Sequence, residues 1–486
     1  MKSLADRIPF PGLRKAFCME NLRPGFAGLM VALLAGCTLA PEYSRPAAPV
    51  PAAWPSGAAY DAAKPVPEAT PAADLPWREF LADARLQEVV EAALKNNRDL
   101  RLAALNVERA RALYGVQRAE LYPALQAVGS GTVERVPADL SSTGSARTAE
   151  QYSVNLGISA WEIDFFGRIR SLKDRALEEY LATDEARRDT QILLVSAVAG
   201  AYLALAADRE TLSLAESTLQ AQEEAYRLIR KRYDVGVASE IDLRRAQSQV
   251  DAVRADIARL VQITAQDENA LNLLVGSSLP AELLPSTLAD IRPLKEISAG
   301  LSSEILLRRP DVLAAEHRLK AANANIGAAR AALFPRISLT TVIGTASTDL
   351  SRLFGSGQGI WAFAPQIGIP IFDARTWSAY DVTKVERELS VVQYEKSIQT
   401  AFREVADVLA VRGTVTQRIS AQQSLVEAVA ETYRLADLRY AKGIDSYLSV
   451  LDAQRTLYSA QQGLIALRFA RIANVIALYQ VLGGGA

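Results

Sequence analysis

The chain has 486 residues, with 54 Lys+Arg against 55 Asp+Glu, and its formal net charge of −1 disfavours nucleic-acid binding by phosphate neutralisation. Two cysteines, Cys18 and Cys37, and one histidine, His317, are too few for a Cys/His zinc centre, a disulfide framework or an iron–sulfur cluster, and they leave a single imidazole for any catalytic triad. Apolar residues make up 50% but aromatics only 7%, so the apolar content is mostly Ala, Leu and Val, which favours helix over sheet.

Residues 1–36 hold Lys2, Arg7, Arg14, Lys15 and Arg23 against Asp6 and Glu20, followed by the apolar run Phe26 to Leu34. That run is too short to span a bilayer as a helix and suits the h-region of a signal peptide. Leu34-Ala35-Gly36-Cys37 resembles the bacterial lipobox, which predicts cleavage before Cys37 and its modification by diacylglycerol on sulfur and an acyl chain on nitrogen. An ordinary signal peptide ending at a chance cysteine is the alternative. Met19 is an alternative start to Met1, and Cys18 is lost either way. Thr38, rather than Asp, follows Cys37 and favours the outer membrane. Residues 37–76 are rich in Pro and Ala (Pro41, Pro46, Pro49, Pro51, Pro55, Pro65, Pro67, Pro71) and predict a loosely packed, lipidated tether along the outside of the body.

Past the tether the sequence repeats itself, as residues 77–279 and 280–486. Arg118-Ala119-Glu120-Leu121-Tyr122-Pro123 corresponds to Arg330-Ala331-Ala332-Leu333-Phe334-Pro335, and Arg232-Tyr233-Asp234-Val235-Gly236-Val237 to Arg439-Tyr440-Ala441-Lys442-Gly443-Ile444. After Pro123 and Pro335 the spacing turns from helical to alternating, predicting strands at about 124–136 and 151–163, then 336–347 and 360–372. Tyr152, Val154, Leu156 and Ile158 share a face; so do Ile337, Leu339, Thr341 and Ile343, and Trp361, Phe363, Ile367, Ile369 and Ile371. Strands of roughly 10–12 residues match a tilted bilayer crossing. Trp161, Trp361 and Trp377 sit near the expected strand ends, as interfacial aromatics do.

Each hairpin leads into a long coiled coil, about 168–275 and about 374–482, with no proline inside either one. A first helix from Arg168 to about Tyr233 has one interior glycine, Gly200, and its counterpart from Ala374 to about Ala441 has Gly413. Roughly 67 residues at 1.5 Å each is about 100 Å, which needs a coiled-coil explanation. Each long helix turns at a glycine, Gly236 or Gly443, and returns as a shorter one. Four membrane strands cannot close a barrel, and open edges are forbidden in lipid. Eight strands from a dimer leave a filled interior, whereas twelve from a trimer leave an aqueous lumen. The expected fold is therefore mainly α with membrane β: a homotrimeric, 12-stranded outer-membrane β-barrel, four strands per chain, continuing into a 12-helix coiled-coil periplasmic tube.

The order of these landmarks resembles the TolC-type outer-membrane efflux proteins, and more narrowly the lipoprotein branch typified by OprM. The most specific stretches are Trp161-Glu162-Ile163-Asp164-Phe165-Phe166-Gly167-Arg168, Leu307-Arg308-Arg309-Pro310-Asp311 and Leu451-Asp452-Ala453-Gln454-Arg455. The resemblance implies a homotrimeric duct, anchored in outer-membrane lipid, that docks on a periplasmic adaptor (membrane fusion) protein. It also implies an inner-membrane resistance-nodulation-division pump as partner, with antibiotics, dyes, detergents and solvents as substrates.

By the same resemblance Leu448 and Asp452 form a periplasmic gate, an apolar ring beside a ring of carboxylates. Asp242 and Tyr440 match the two halves of a lock between inner and outer coils. Ser449 and Asp445 stand where TolC itself has a gate aspartate and a lock arginine, and Arg439 is the candidate replacement. Val235, Gly236, Val237 and Gly443 match the helix tips that meet the adaptor. His317 is expected to be structural, and Arg308, Arg309 and Asp311 to stabilise the waist between helices and strands. The chain reads as a channel without cofactor or catalytic centre. A duct for type I protein secretion or for another exporter is the alternative within transport, and a periplasmic coiled-coil adaptor or structural lipoprotein the alternative outside it.

Overall fold

A computed structural model describes residues 38–61, 72–292, 294–300 and 302–485. The expected signal peptide and the lipidation site Cys37 lie outside the described residues, as do residues 62–71 of the tether. The elements in chain order are α1 (Trp77–Phe80), α2 (Ala84–Asn96), α3 (Arg98–Ala119), β1 (Leu125–Val136), β2 (Arg147–Glu162), α4 (Arg168–Asp234), α5 (Glu240–Val275), α6 (Pro310–Ala331), β3 (Arg336–Ser347), β4 (Gly359–Gly368), α7 (Ala374–Ala441) and α8 (Tyr447–Val481), with short 3₁₀ turns between α5 and α6. The chain divides into two compact units, one built on residues 115–175 and 322–385 with the described residues up to Tyr43, the other on the remainder.

The first unit holds a four-stranded antiparallel sheet in the order β1-β2-β3-β4, so the two sequence repeats contribute one hairpin each and pair through β2 and β3. Register makes its two faces chemically distinct. One is mainly apolar and carries Leu125, Val133, Val154, Leu156, Ile158, Ile343, Trp361, Phe363 and Ile367, with Arg135 and Glu150 at its far end; the other carries Ser130, Thr132, Ser153, Asn155, Ser338, Thr340 and Gln366, interleaved with Val128, Val342 and Ile360. On the second face Ser130 and Ser153 share a 2.8 Å hydrogen bond, and the Asn155 amide donates to Ser153 at 3.0 Å. The apolar face is exposed, with Trp361 at 79% and Ile343 at 65%. A bulge between Ile158 and Trp161 inserts one residue, Ala160, at φ 50°. Its N–H donates to the Thr340 hydroxyl at 3.1 Å, and the extra residue keeps Trp161 on the apolar face opposite Leu339.

Two strand boundaries differ from the sequence expectation. β2 starts at Arg147 rather than 151, because Arg147 to Glu150 continue the ladder with Val133 to Val136. β4 stops at Gly368 rather than 372, since its partner β3 begins only at Arg336, opposite Gly368, and Pro370 has no N–H to extend the ladder. Ile369 and Ile371 therefore lie outside the strand, and Trp377 lies in the first turn of α7.

The second unit is a helical bundle. The 67 residues of α4 and 68 of α7 run unbroken past Gly200 and Gly413. Tyr202, Leu203, Leu205 and Ala206 on α4, Leu271 and Val275 on α5, and Leu86, Val89, Val90 and Ala93 on α2 are fully buried. Helix α2 starts at Asp83, whose carboxylate accepts from the Leu86 N–H at 3.0 Å. Phe80 stacks on Tyr479 at 4.1 Å, and the Tyr479 hydroxyl donates to the Leu75 carbonyl at 2.9 Å.

Residues 38–61 correct the expectation of a loose tether, because specific contacts hold this segment. In the first unit the Asn323 amide donates to the Pro41 carbonyl at 2.8 Å and Arg330 to that of Leu39 at 3.2 Å. In the second, Arg45 pairs with buried Glu316 at 2.7 Å, Trp54 stacks on Phe402 at 5.2 Å, and Gly413 packs directly under the Ala59 carbonyl.

Candidate gate and helix tips

At both tips of the second unit the long helix ends in the same way. Gly236 and Gly443 take the left-handed conformation at φ 74° and 71°. The Val237 N–H reaches back to the Arg232 carbonyl at 2.7 Å and that of Gly236 to Tyr233 at 2.8 Å; Ile444 and Gly443 repeat the pattern on Arg439 and Tyr440 at 2.9 Å each. This double back-bond needs a residue without a Cβ penalty at φ > 0, which explains both glycines. The apolar residue after each glycine usually folds onto its own helix. Here Val237 is 75% exposed and Ile444 59%, with Val235 at 73%, so the tips present unburied aliphatic side chains.

Just behind the tips all four long helices meet at Tyr447. This residue is buried among Ile229 of α4, Ala246 of α5, Ala436 of α7 and Val450 and Leu451 of α8, with Tyr226, Tyr433 and Tyr440 around it. Burial, and then the neighbouring Tyr440, Tyr433, Asp437 and Asp242, push the Tyr447 phenol well above its ordinary pKa. The first turns of α8 are therefore two-sided. Tyr447, Val450, Leu451 and Gln454 are buried, whereas Leu448, Asp452 and Arg455 lie on an exposed face at i, i+4 and i+7. Asp452 is not alone there, since Arg455 donates to it at 2.9 Å one turn on. That pairing offsets part of the Asp452 charge on this face.

The expected lock partners take other places. The Asp242 carboxylate accepts from the Ser239 hydroxyl at 2.7 Å, and Ser239 in turn caps the Asp242 N–H at 3.1 Å. The Tyr440 ring packs on Tyr447 at 5.1 Å and lies under the Arg232 guanidinium of α4, also at 5.1 Å. Among the described residues no hydrogen bond joins Asp242 to Tyr440. Arg439 forms a fork on Asp445 at 2.5 and 3.1 Å, within its own tip, and this pair holds the Asp445 carboxyl below its ordinary pKa. A different polar link does cross from α5 to α8. The Tyr458 hydroxyl donates to Asp256 at 2.6 Å, and the Gln462 amide to the same oxygen at 3.4 Å.

His317 pairs through Nδ1 with Glu178 at 2.6 Å, joining α6 to α4. Arg309 is 7% exposed and gathers Asp311, Glu404 and the Val481 carbonyl, while Arg308 reaches Asp74 at 2.8 Å. Sequence reasoning missed Tyr447, Arg455, Ser239 and the Asp256–Tyr458 pair. Ser239-x-x-Asp242 is a capping spacing and was legible; the others carry no local signal.

A family model described as outer membrane efflux protein matches residues 89–277 and 301–484. The antibiotic efflux pump outer membrane protein ArpC of Pseudomonas putida is 50% identical over 454 residues, covering 93% of each chain. The solvent efflux pump outer membrane protein SrpC, also of Pseudomonas putida, is 48% identical over 466 residues, covering 95% of this chain and 97% of its own. The open state of the MtrE outer membrane channel of Neisseria gonorrhoeae superposes with a TM-score of 0.83 at 38% identity, covering 92% of this chain and 98% of that one. Both halves of the repeat fall inside the family match, together with the two-faced sheet and the paired glycine tips, and the chain belongs to the outer membrane efflux protein family.

Proposed function

We propose that this protein is the outer-membrane exit duct of a multidrug or solvent efflux pump, passing small toxic compounds from the periplasm to the exterior. The observation that carries this reading is the sheet. Its four strands of 10–16 residues have an exposed, mainly apolar face and a more polar face, and among the described residues its edge strands β1 and β4 each have one free edge. An apolar face suits lipid, a polar face suits a water-filled lumen, and unpaired edges at membrane depth demand closure. Three copies, each pairing β1 with the neighbour's β4, give twelve strands and a lumen. Cys37 is the lipid attachment point, which holds the start of the chain at the membrane. The paired helices line a periplasmic conduit, and Leu448 and Asp452 narrow its end.

The exposed aliphatic tips, Val235, Val237 and Ile444, are the docking points for a periplasmic adaptor that couples the duct to an inner-membrane pump of the resistance-nodulation-division type. Relatives named for antibiotic and for solvent efflux support both substrate classes. The test is complementation of a Gram-negative strain that lacks its own efflux duct. The intact gene, supplied with its adaptor and pump, should restore resistance to antibiotics and toluene, and Val237→Asp should abolish that rescue while the protein still reaches the outer membrane. No rescue by the intact gene would overturn the reading.

A further inference from the structure

We infer that Asp256 and Tyr458 form the latch that holds α8 against α5 and so sets how readily the duct opens. This rests on the reading of the chain as a gated duct and assigns the latch to residues other than Asp242 and Tyr440. Among the described residues, the side-chain hydrogen bonds between α5 and α8 all converge on Asp256. One carboxylate oxygen accepts from the Tyr458 hydroxyl at 2.6 Å and from the Gln462 amide at 3.4 Å; the other accepts from Arg259, one turn along α5, at 2.6 Å.

The geometry is that of a strong bond. A phenol donating to a carboxylate is charge-assisted, and the O···O distance falls in the short range for such pairs. Arg259 keeps Asp256 ionised and aims its free oxygen at α8. Hydrogen bonds from Tyr458, Arg259 and Gln462 outweigh burial and hold the Asp256 carboxyl below its ordinary pKa, while burial and Asp256 push the Tyr458 phenol up.

Position along the coil gives the bond leverage. Asp256 lies fourteen residues beyond Asp242 on α5, roughly 21 Å farther along that helix from the tip. Between this level and the tip, α8 is held by the apolar cluster around Tyr447, which can slide without breaking a directional bond. Asp256–Tyr458 is therefore the directional contact that α8 must break to move away from α5. Tyr440 packs by its ring on Tyr447 and Arg232, and among the described residues its hydroxyl makes no hydrogen bond across the coil.

The test is single-channel recording of the purified full-length protein in planar bilayers, without adaptor. Tyr458→Phe and Asp256→Ala should each raise the open fraction at least about tenfold, the scale of losing one charge-assisted hydrogen bond, and more if the three copies open together. The double variant should rise no further than either single one, and Asp256→Asn, which keeps an acceptor without the charge, should fall between. Tyr440→Phe should change the open fraction less than twofold. Unchanged opening in Tyr458→Phe and Asp256→Ala, or strictly additive effects in the double variant, would overturn the latch. If neither the wild-type protein nor Leu448→Ala conducts at all, the duct reading itself fails, a result separable from loss of the latch alone.

Discussion

Arg309 donates through Nη1 to the Val481 carbonyl at 2.7 Å, fastening the residue just before α6 onto the last turn of α8. Its other nitrogens bind Asp311 at 2.9 and 2.7 Å and Glu404 of α7 at 2.9 Å, so one buried guanidinium holds three separate segments of the second unit. Truncating one partner of a buried charge network leaves the others uncompensated, at a cost of about 3–5 kcal/mol. Arg309→Ala should therefore lower stability on that scale. Arg309→Lys keeps the charge without the fork and should lose less. Thermal melting of the detergent-solubilised variants checks both, and an unchanged midpoint in Arg309→Ala would remove this residue from the framework.

The same cluster makes stability depend on pH. Burial, with Asp311 and Glu404 nearby and Arg309 opposing, pushes the Asp189 carboxyl up to about 6 from its ordinary 3.8. Below pH about 4 the group is protonated in the folded and unfolded chains alike. Between about 4 and 6 the folded chain holds the proton more tightly, so this group's contribution to stability falls as pH rises through that window, and above 6 the full cost of a buried charge remains. Asp189→Asn should melt higher than wild type at pH 7 and should narrow the difference between pH 5 and pH 7. Parallel melting profiles for the two proteins would show that Asp189 does not titrate in this window.

Two glycines in the long helices make opposite predictions. A Cβ at Gly413 would collide with the Ala59 carbonyl oxygen, whereas one at Gly200 meets nothing within 4 Å in the chain. Gly413→Val should displace the chain around Ala59 and Tyr60 from the helix and expose it to limited proteolysis. Gly200→Ala should leave proteolysis unchanged and stabilise the helix by about 0.5–1 kcal/mol through reduced backbone entropy.

The exposed face of α8 offers a second probe of the gate. If Leu448 lines the constriction proposed above, Leu448→Ala removes apolar bulk from it, and planar-bilayer recordings should show more frequent or larger openings. On the same proposal Asp452→Ala should act the same way and should also reduce cation preference, because it would delete a carboxylate from the lumen wall. Arg455→Ala, which frees Asp452 from its 2.9 Å partner, should strengthen cation preference instead. Wild-type conductance and selectivity in all three would place the constriction elsewhere.

Much of this architecture was legible in the sequence because it rests on local patterns. Freedom from proline and two turn glycines mark α4, α5, α7 and α8 to within a residue or two, and alternation after Pro123 and Pro335 marks the strands. Helix α2 also carries a readable signature, Asp83 as cap and Leu86, Val89, Val90 and Ala93 on one face. The contacts of residues 38–61 were hidden because a Pro/Ala-rich stretch has the same composition whether bound or free. The Asp256–Tyr458 bond joins positions 202 apart, and helical spacing shows only that each lies on its own helix, not that the two face each other. Asp242 and Tyr440 were singled out by resemblance, and the local chemistry of Ser239, Tyr447 and Arg232 decides where their side chains go.

The central claim is that open sheet edges on each chain are closed by two further copies in the outer membrane. Native mass measurement of the protein extracted from outer membranes in mild detergent tests it most directly. A mass of three chains plus covalent lipid is the expected result. A lipid-free monomer recovered from the periplasm would contradict the barrel, and with it the duct.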